Sequence, residues 1–150
     1  MRPVLVTLPL ILALAACGAP DTPGQRAAHV RHGHFEAIGD AFKDVNDTLK
    51  DKAPDVAQLR VDASTIAALA PKLETWFPKG SGPQDKVHTD AKAEVWTKPA
   101  EFQHAAQRFV AAATTLDAQA KAGNVPGLQA AARDLGGTCK ACHEQFREKD

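Results

Sequence analysis

Near the C-terminus stands Cys139-Lys140-Ala141-Cys142-His143. Two thiols separated by two residues and followed at once by an imidazole form the C-x-x-C-H pattern of covalent c-type haem attachment. The chemistry accounts for the spacing. Each thiol adds across one haem vinyl group to give a thioether, and the adjacent imidazole then reaches iron from the proximal side. Such iron is tuned by that axial ligand and by the polarity and access of the opposite, distal pocket. Three other uses of the pair are weaker. A thioredoxin-like dithiol needs a βαβ setting, and β-branched and aromatic residues are too sparse here for a sheet. A structural zinc site wants four ligands in most cases, and only His88 and His104 stand as distant additions. A structural cysteine pair on a helix is the remaining alternative.

Such a motif needs helices to carry it, and the chain supplies them. Tyr is absent and Ala, the best helix former, is frequent. Thr22-Pro23-Gly24-Gln25 fits a capping box, with Thr22 as cap and Pro23 in the first position. A first helix then runs to Lys50, with Phe35, Ile38, Phe42, Val45 and Leu49 in one 3-4-3-4 stripe. Asp55-Val56-Ala57-Gln58 repeats the capping pattern and opens a second helix. Its inner face carries Leu59, Ile66, Leu69 and Leu73, and Pro71 kinks its last turn. Residues 78–95 form the longest connection, because Pro78, Gly80, Gly82 and Pro83 cannot continue a helix. A third helix carries Phe102, Ala105, Phe109, Ala113, Leu116 and Ala120 and stops at Gly123. Asn124 caps a fourth, Val125 to Arg147, whose inner side holds Leu128, Ala131, Leu135, Cys139, Cys142 and Phe146. The expected fold is all-α, an antiparallel four-helix bundle over residues 26–150.

The N-terminus stands apart from that domain. Val4 to Ala16 is almost wholly apolar but too short for a bilayer span of roughly 20 residues. Residues 1–16 read as a secretory signal. Leu14-Ala15-Ala16-Cys17 resembles a lipobox, in which Cys17 becomes a lipidated first residue. Ordinary cleavage after Ala15 is the alternative, as is Cys17 as an apolar signal residue. A lipid on Cys17 tethers the domain through residues 17–25 with no protein helix in the membrane. Removing residues 1–16 deletes only Arg2 from an otherwise balanced chain, leaving a net charge of about −1. Lys and Arg form no block, so a nucleic-acid surface is not expected.

With these residues in view, the chain resembles the cytochromes c-prime and their low-spin relatives, the class II c-type cytochromes. Gly137 to Arg147, around the haem motif, is similar to that family's terminal motif. Trp76-Phe77-Pro78-Lys79-Gly80-Ser81 resembles its segment after the second helix. Lys92-Ala93-Glu94-Val95-Trp96 resembles the segment before the third, although Ala93 stands where the family often has Pro. Arg31, Phe35 and Gly39 match a first-helix pattern. The resemblance covers essentially the whole chain after the signal.

It implies one covalent haem c per chain, held by Cys139, Cys142 and His143, with His143 as the iron ligand. It also implies that Phe35 covers the distal face and leaves a five-coordinate, high-spin iron. Arg31 is implied beside the haem, near a propionate. Arg147, one turn after His143, is a second candidate for a propionate or for the helix end. A surface role is the alternative for both arginines. Low-spin relatives use a first-helix Met as sixth ligand, but Met1 is the only Met here. Histidine ligation by His29, His32 or His34 is the remaining route to six coordination, with surface roles as the alternative. Trp76 and Trp96 are expected to pack, and Phe109, Leu135 and Phe146 to form core or pocket walls.

The first expectation for function is electron transfer in the periplasm with redox partner proteins. The alternative is binding or scavenging of small gases, nitric oxide or carbon monoxide. A third is a non-haem helical lipoprotein that binds other proteins. No nucleophile constellation or catalytic carboxylate pair is visible, so an electron carrier or gas binder is expected rather than an enzyme. The resemblance further implies a homodimer through the first two helices, which the residues alone do not reveal.

Overall fold

The computed structural model describes residues 21–149. Cys17 and the expected signal lie outside the described residues.

Helix α1 runs Pro23–Thr48. Thr22 Oγ1 accepts from the Gln25 amide at 3.2 Å, and Gln25 Oε1 accepts from the Thr22 amide at 2.7 Å. Both arms of the expected capping box are therefore made. Helix α2 runs Val56–Leu69, and its cap Asp55 accepts from the amides of Ala57 and Gln58. Here the reciprocal arm is missing. The Gln58 side chain instead donates to both carboxylate oxygens of Asp62, at 3.0 and 3.1 Å. Pro71 does more than kink the helix. Lacking an N–H for the i→i−4 bond, it sits where the chain tightens into a 3-10 helix over Ala70–Trp76.

After the long connection come α3, one turn at Glu94–Thr97, and α4, Pro99–Ala122. Gly123 takes φ of 66°, a left-handed conformation that glycine adopts without a Cβ penalty, and stops α4. Asn124 Oδ1 accepts from the Gly127 amide at 3.2 Å and starts α5, Val125–Phe146.

The four long helices form an antiparallel bundle, the all-α architecture expected. α1 packs chiefly on α2, α2 on α4 and α4 on α5, while α1 and α5 touch only sparsely. Val45, Leu59, Ala63, Ile66, Ala113, Leu116, Leu128 and Leu135 lie fully inside. Alanines among the leucines let the backbones approach, and interiors this dense tolerate few voids. No strand occurs among the described residues; a single antiparallel bridge joins Ala91 to Arg147. That bridge returns the long connection to the end of α5. The first turn of α1 reaches the same end, where a Cβ on Gly24 would collide with the Gly80 carbonyl oxygen.

Candidate functional site

The last two turns of α5 present both thiols and the imidazole within five residues. Cys139 and Cys142 are free, half-buried and packed against the core cluster. Burial pushes both thiols up. Cys142 reaches about 11, with the charge of Cys139 as a smaller cause. Neither thiol is a ready thiolate at neutral pH, unlike the low-pKa cysteine of a redox dithiol. Among the described residues no group of three His, Cys, Asp or Glu side chains is arranged to hold a metal ion. His143 lies at the surface. Partial loss of solvent around its ring, then the charge of Arg147, push it below its ordinary value. The neutral imidazole so favoured is the form with a lone pair for iron.

Phe35 on α1 is half-buried. Its ring meets Trp76 edge-on at 5.4 Å and Phe77 at 6.2 Å. The series continues through Phe77–Phe102 at 4.9 Å and Phe102–Phe146 at 5.3 Å. Phe146 is one turn beyond Cys142, so these rings run from the distal helix to the motif helix. A cleft of about 530 Å³ opens beside Phe77, Trp96 and Phe102, and one of about 330 Å³ beside His143 and Arg147. Both clefts are open to solvent, and neither is lined by Phe35, Cys139 or Cys142.

The first-helix histidines have other partners. His34 stacks on Trp76, with centroids 4.5 Å apart. His32 lies 3.3 Å from Glu36 and is largely exposed, and His29 lies 3.3 Å from Asp21. His104 sits at the surface, its Nδ1 3.1 Å from the Arg108 guanidinium. Trp76, Phe109, Leu135 and Phe146 are buried in the core.

Arg31 is only 3% exposed. Its guanidinium donates to Ser81 Oγ at 2.9 Å, to the Ser81 carbonyl at 2.7 Å and to Thr89 Oγ1 at 2.7 Å. It also lies 5.0 Å from the Phe77 ring centre and 5.6 Å from that of Trp96. Burial is costly for a charge, and these contacts offset it. Arg147 lies 3.9 Å from Asp90, and its amide donates to the His143 carbonyl at 3.0 Å.

Sequence reasoning missed Ser81 and Thr89 as partners of Arg31. Ser81 falls in a motif already singled out, whereas Thr89 carries no signal. Phe77 was quoted in the same motif, but its place between Phe35 and Phe102 depends on the fold.

The residues fit a covalent haem. Two protonated thiols pack against apolar side chains, a neutral imidazole adjoins them, and a series of aromatic rings ends at Phe146, one turn beyond Cys142.

Known proteins give the same answer. The family model for cytochrome c' matches residues 26–147. The chain is 37% identical to the cytochrome c' of Rubrivivax gelatinosus over 129 residues, 85% of this chain and 97% of that one. It is similar in structure to a nitric oxide complex of a cytochrome c prime variant from Alcaligenes xylosoxidans. That match has a TM-score of 0.78 and 28% identity, and covers 87% of this chain and all of that one. A cytochrome c' with ligand-controlled dimer dissociation matches equally, with a TM-score of 0.78, 27% identity and the same coverage.

Proposed function

The chain belongs to the cytochrome c' family and carries one covalently bound haem c, and on that premise we propose that it binds a small neutral gas, nitric oxide above all, at a five-coordinate iron. Cys139 and Cys142 form the thioethers, and His143 is the proximal ligand. When bound, the haem supplies an iron that changes oxidation state and takes a diatomic on its open side. The chain's part is to hold one side and guard the other.

Phe35 carries this reading. It is the residue expected over the distal face, it has no lone pair to donate, and its ring neighbours are Trp76 and Phe77. An apolar guard keeps water out and offers no hydrogen bond, which suits nitric oxide or carbon monoxide better than dioxygen. The relative from Alcaligenes xylosoxidans has been obtained as a nitric oxide complex, which supports the same ordering. Gas binding thus moves ahead of electron transfer, the reverse of the order drawn from the motif alone. Electron transfer stands as the second reading, favoured by the surface position of His143. No catalysed reaction is assigned.

Electron spin resonance of the ferric protein, then titration of the ferrous protein with nitric oxide, tests this reading. A high-spin signal and saturable binding are expected. Phe35→Ala should speed association by about tenfold or more, since one 1.4 kcal/mol change in barrier is tenfold in rate. A low-spin resting signal that vanishes in His32→Ala would replace the gas binder with a six-coordinate carrier.

We further propose a periplasmic protein tethered by a lipid on Cys17. No helix among the described residues is long and apolar enough to cross a membrane. The start of α1 and the haem motif share one end of the bundle, so a short leash holds the motif near the lipid surface. Metabolic labelling with a palmitate analogue, lost in Cys17→Ser, checks this. A homodimer across α1 and α2 is the proposed assembly. Among the described residues, Val30 on α1 and Val61 on α2 are the large apolar side chains left exposed, each at 58%. Sedimentation with and without nitric oxide measures it.

A further inference from the structure

The long connection behaves as a strap with an anchor at each end. Its first anchor is Arg31 of α1, which holds Ser81 and Thr89. Ser81 is fully buried, and its own hydroxyl donates to the Pro78 carbonyl at 2.8 Å. Trp96 closes the loop on itself, its Nε1 donating to the carbonyls of Phe77 and Pro78 at 3.2 and 3.1 Å.

The second anchor is the end of α5. The Lys92 amide donates to the Phe146 carbonyl at 2.9 Å, and the Glu148 amide donates to the Asp90 carbonyl at 2.7 Å. The Lys92 ammonium donates to the Glu144 carbonyl at 3.2 Å. Carbonyls in the last turn of a helix lack partners within it. Here the strap satisfies two of them, and it brings a positive charge to the negative end of the helix dipole.

Thr89 joins the two anchors. Its Oγ1 accepts from Arg31 and also from the amide of Ala91, at 3.1 Å. Ala91 is the residue bridged to Arg147. One hydroxyl oxygen therefore ties a guanidinium one turn before Phe35 to a backbone segment paired one turn after His143.

We infer that Thr89 is a positioning residue: through its hydroxyl, Arg31 on the distal helix fixes residues 89–92 and thereby the last turn of α5, which sets the orientation of the His143 imidazole. This rests on His143 as the iron ligand but not on gas binding. Arg31 reaches α5 through the protein itself, by a route additional to any contact with a propionate. Bistability is not required. The strap removes freedom from the proximal ligand, as partners of ligating histidines do when they fix a ring's orientation.

The test uses the haem-loaded full chain. Thr89→Val keeps the branched shape and removes the acceptor; Thr89→Ser restores it. Two quantities are read: hydrogen exchange at the amides of Lys92 and Glu148, and the iron–imidazole stretching band of the ferrous protein. In Thr89→Val, exchange should rise by about tenfold or more, the scale of losing a hydrogen bond to a charged donor. The stretching band should shift, and Thr89→Ser should return both to the parent values. If exchange rises and the band stays, the strap is structural only and the inference is wrong. If neither moves, Thr89 joins nothing and it is equally wrong. Thr89→Ala guards against a misfolded Thr89→Val. It removes the same acceptor without setting an extra methyl group against Arg31, and a band unchanged in that folded variant would also overturn the proposal. Parent protein without covalent haem would instead sink the attachment reading, a distinct failure seen before any variant is made.

Discussion

The two ends of the bundle are built from different materials. Away from the motif, where α1 turns into α2 and α4 into α5, the interior is Val45, Leu59, Ala63, Leu116, Ala120 and Leu128, all fully buried. Polar caps close that end. Asp55 and Asn124 start two helices there, and Arg60 Nε donates to the Ala120 carbonyl at 3.1 Å at the end of α4. At the motif end, rings replace aliphatic chains. Phe35, Phe77 and Trp96 are only half-buried there, as are the two thiols, and α1 and α5 barely touch. Close-packed aliphatic groups leave no room for anything else. Flat rings with exposed faces leave apolar surface for another flat group to cover. The fold is held from one end, and the chemistry is placed at the other.

That division can be broken by substitution. The largest effect expected is from Cys142→Ala at the motif end. Loss of one thioether should abolish or sharply reduce the haem stain that survives denaturing electrophoresis. An undiminished stain would falsify attachment through this residue. Next comes Leu116→Ala at the closed end. A fully buried leucine cut to alanine loses about 2–5 kcal/mol, read as a lower urea midpoint. The ferric spectrum should not change, because Leu116 belongs to the end without the iron. A spectral change in that variant would erase the distinction between the ends.

The smallest effect is electrostatic. Asp47, in the last turn of α1, accepts from Lys43 and Lys50, each at 2.7 Å. These hydrogen bonds, then the two charges, hold its carboxyl at about 2 against an ordinary 3.8. A carboxyl lowered by folding stabilises above its unfolded pKa, and that stability is lost as pH falls from about 4 through 2. The group is exposed, so the contribution is slight and fades with salt. Asp47→Asn should lower the urea midpoint slightly above pH 5 at low salt, flatten its dependence on pH in that window and match the parent protein below it. The haem spectrum should be indifferent throughout.

Much of the bundle was legible because its signals are local. Thr22, Asp55, Asn124 and Gly123 act on amides and carbonyls within a turn, so their roles follow from neighbours in the chain. The stripe on α4 likewise predicted which side chains are buried, whereas on α1 Ile38 and Val45 are buried and Phe35, Phe42 and Leu49 only half-buried. The second helix was read less well. Pro71 marked a break there, but the 3-10 helix over Ala70–Trp76 that carries Leu73 and Trp76 into the core was not legible from the stripe. The histidines of α1 illustrate the limit at the site. Their spacing left His34 open as a ligand, and only the fold brings Trp76 against its ring.

The sequence by itself determined the helices, their caps and the chemistry of the cofactor, since Cys139, Cys142 and His143 carry their meaning in five consecutive positions. It also left no methionine on the first helix to serve as a distal ligand, because Met1 is the single one in the sequence. Tertiary structure alone decided what Arg31 holds, that Thr89 links two anchors, and that residues 90–92 pair with the end of α5. Those contacts join groups 50 or more residues apart. Helical periodicity and capping reach only about four positions along the chain, so nothing in the local pattern could select one distant partner from the many available.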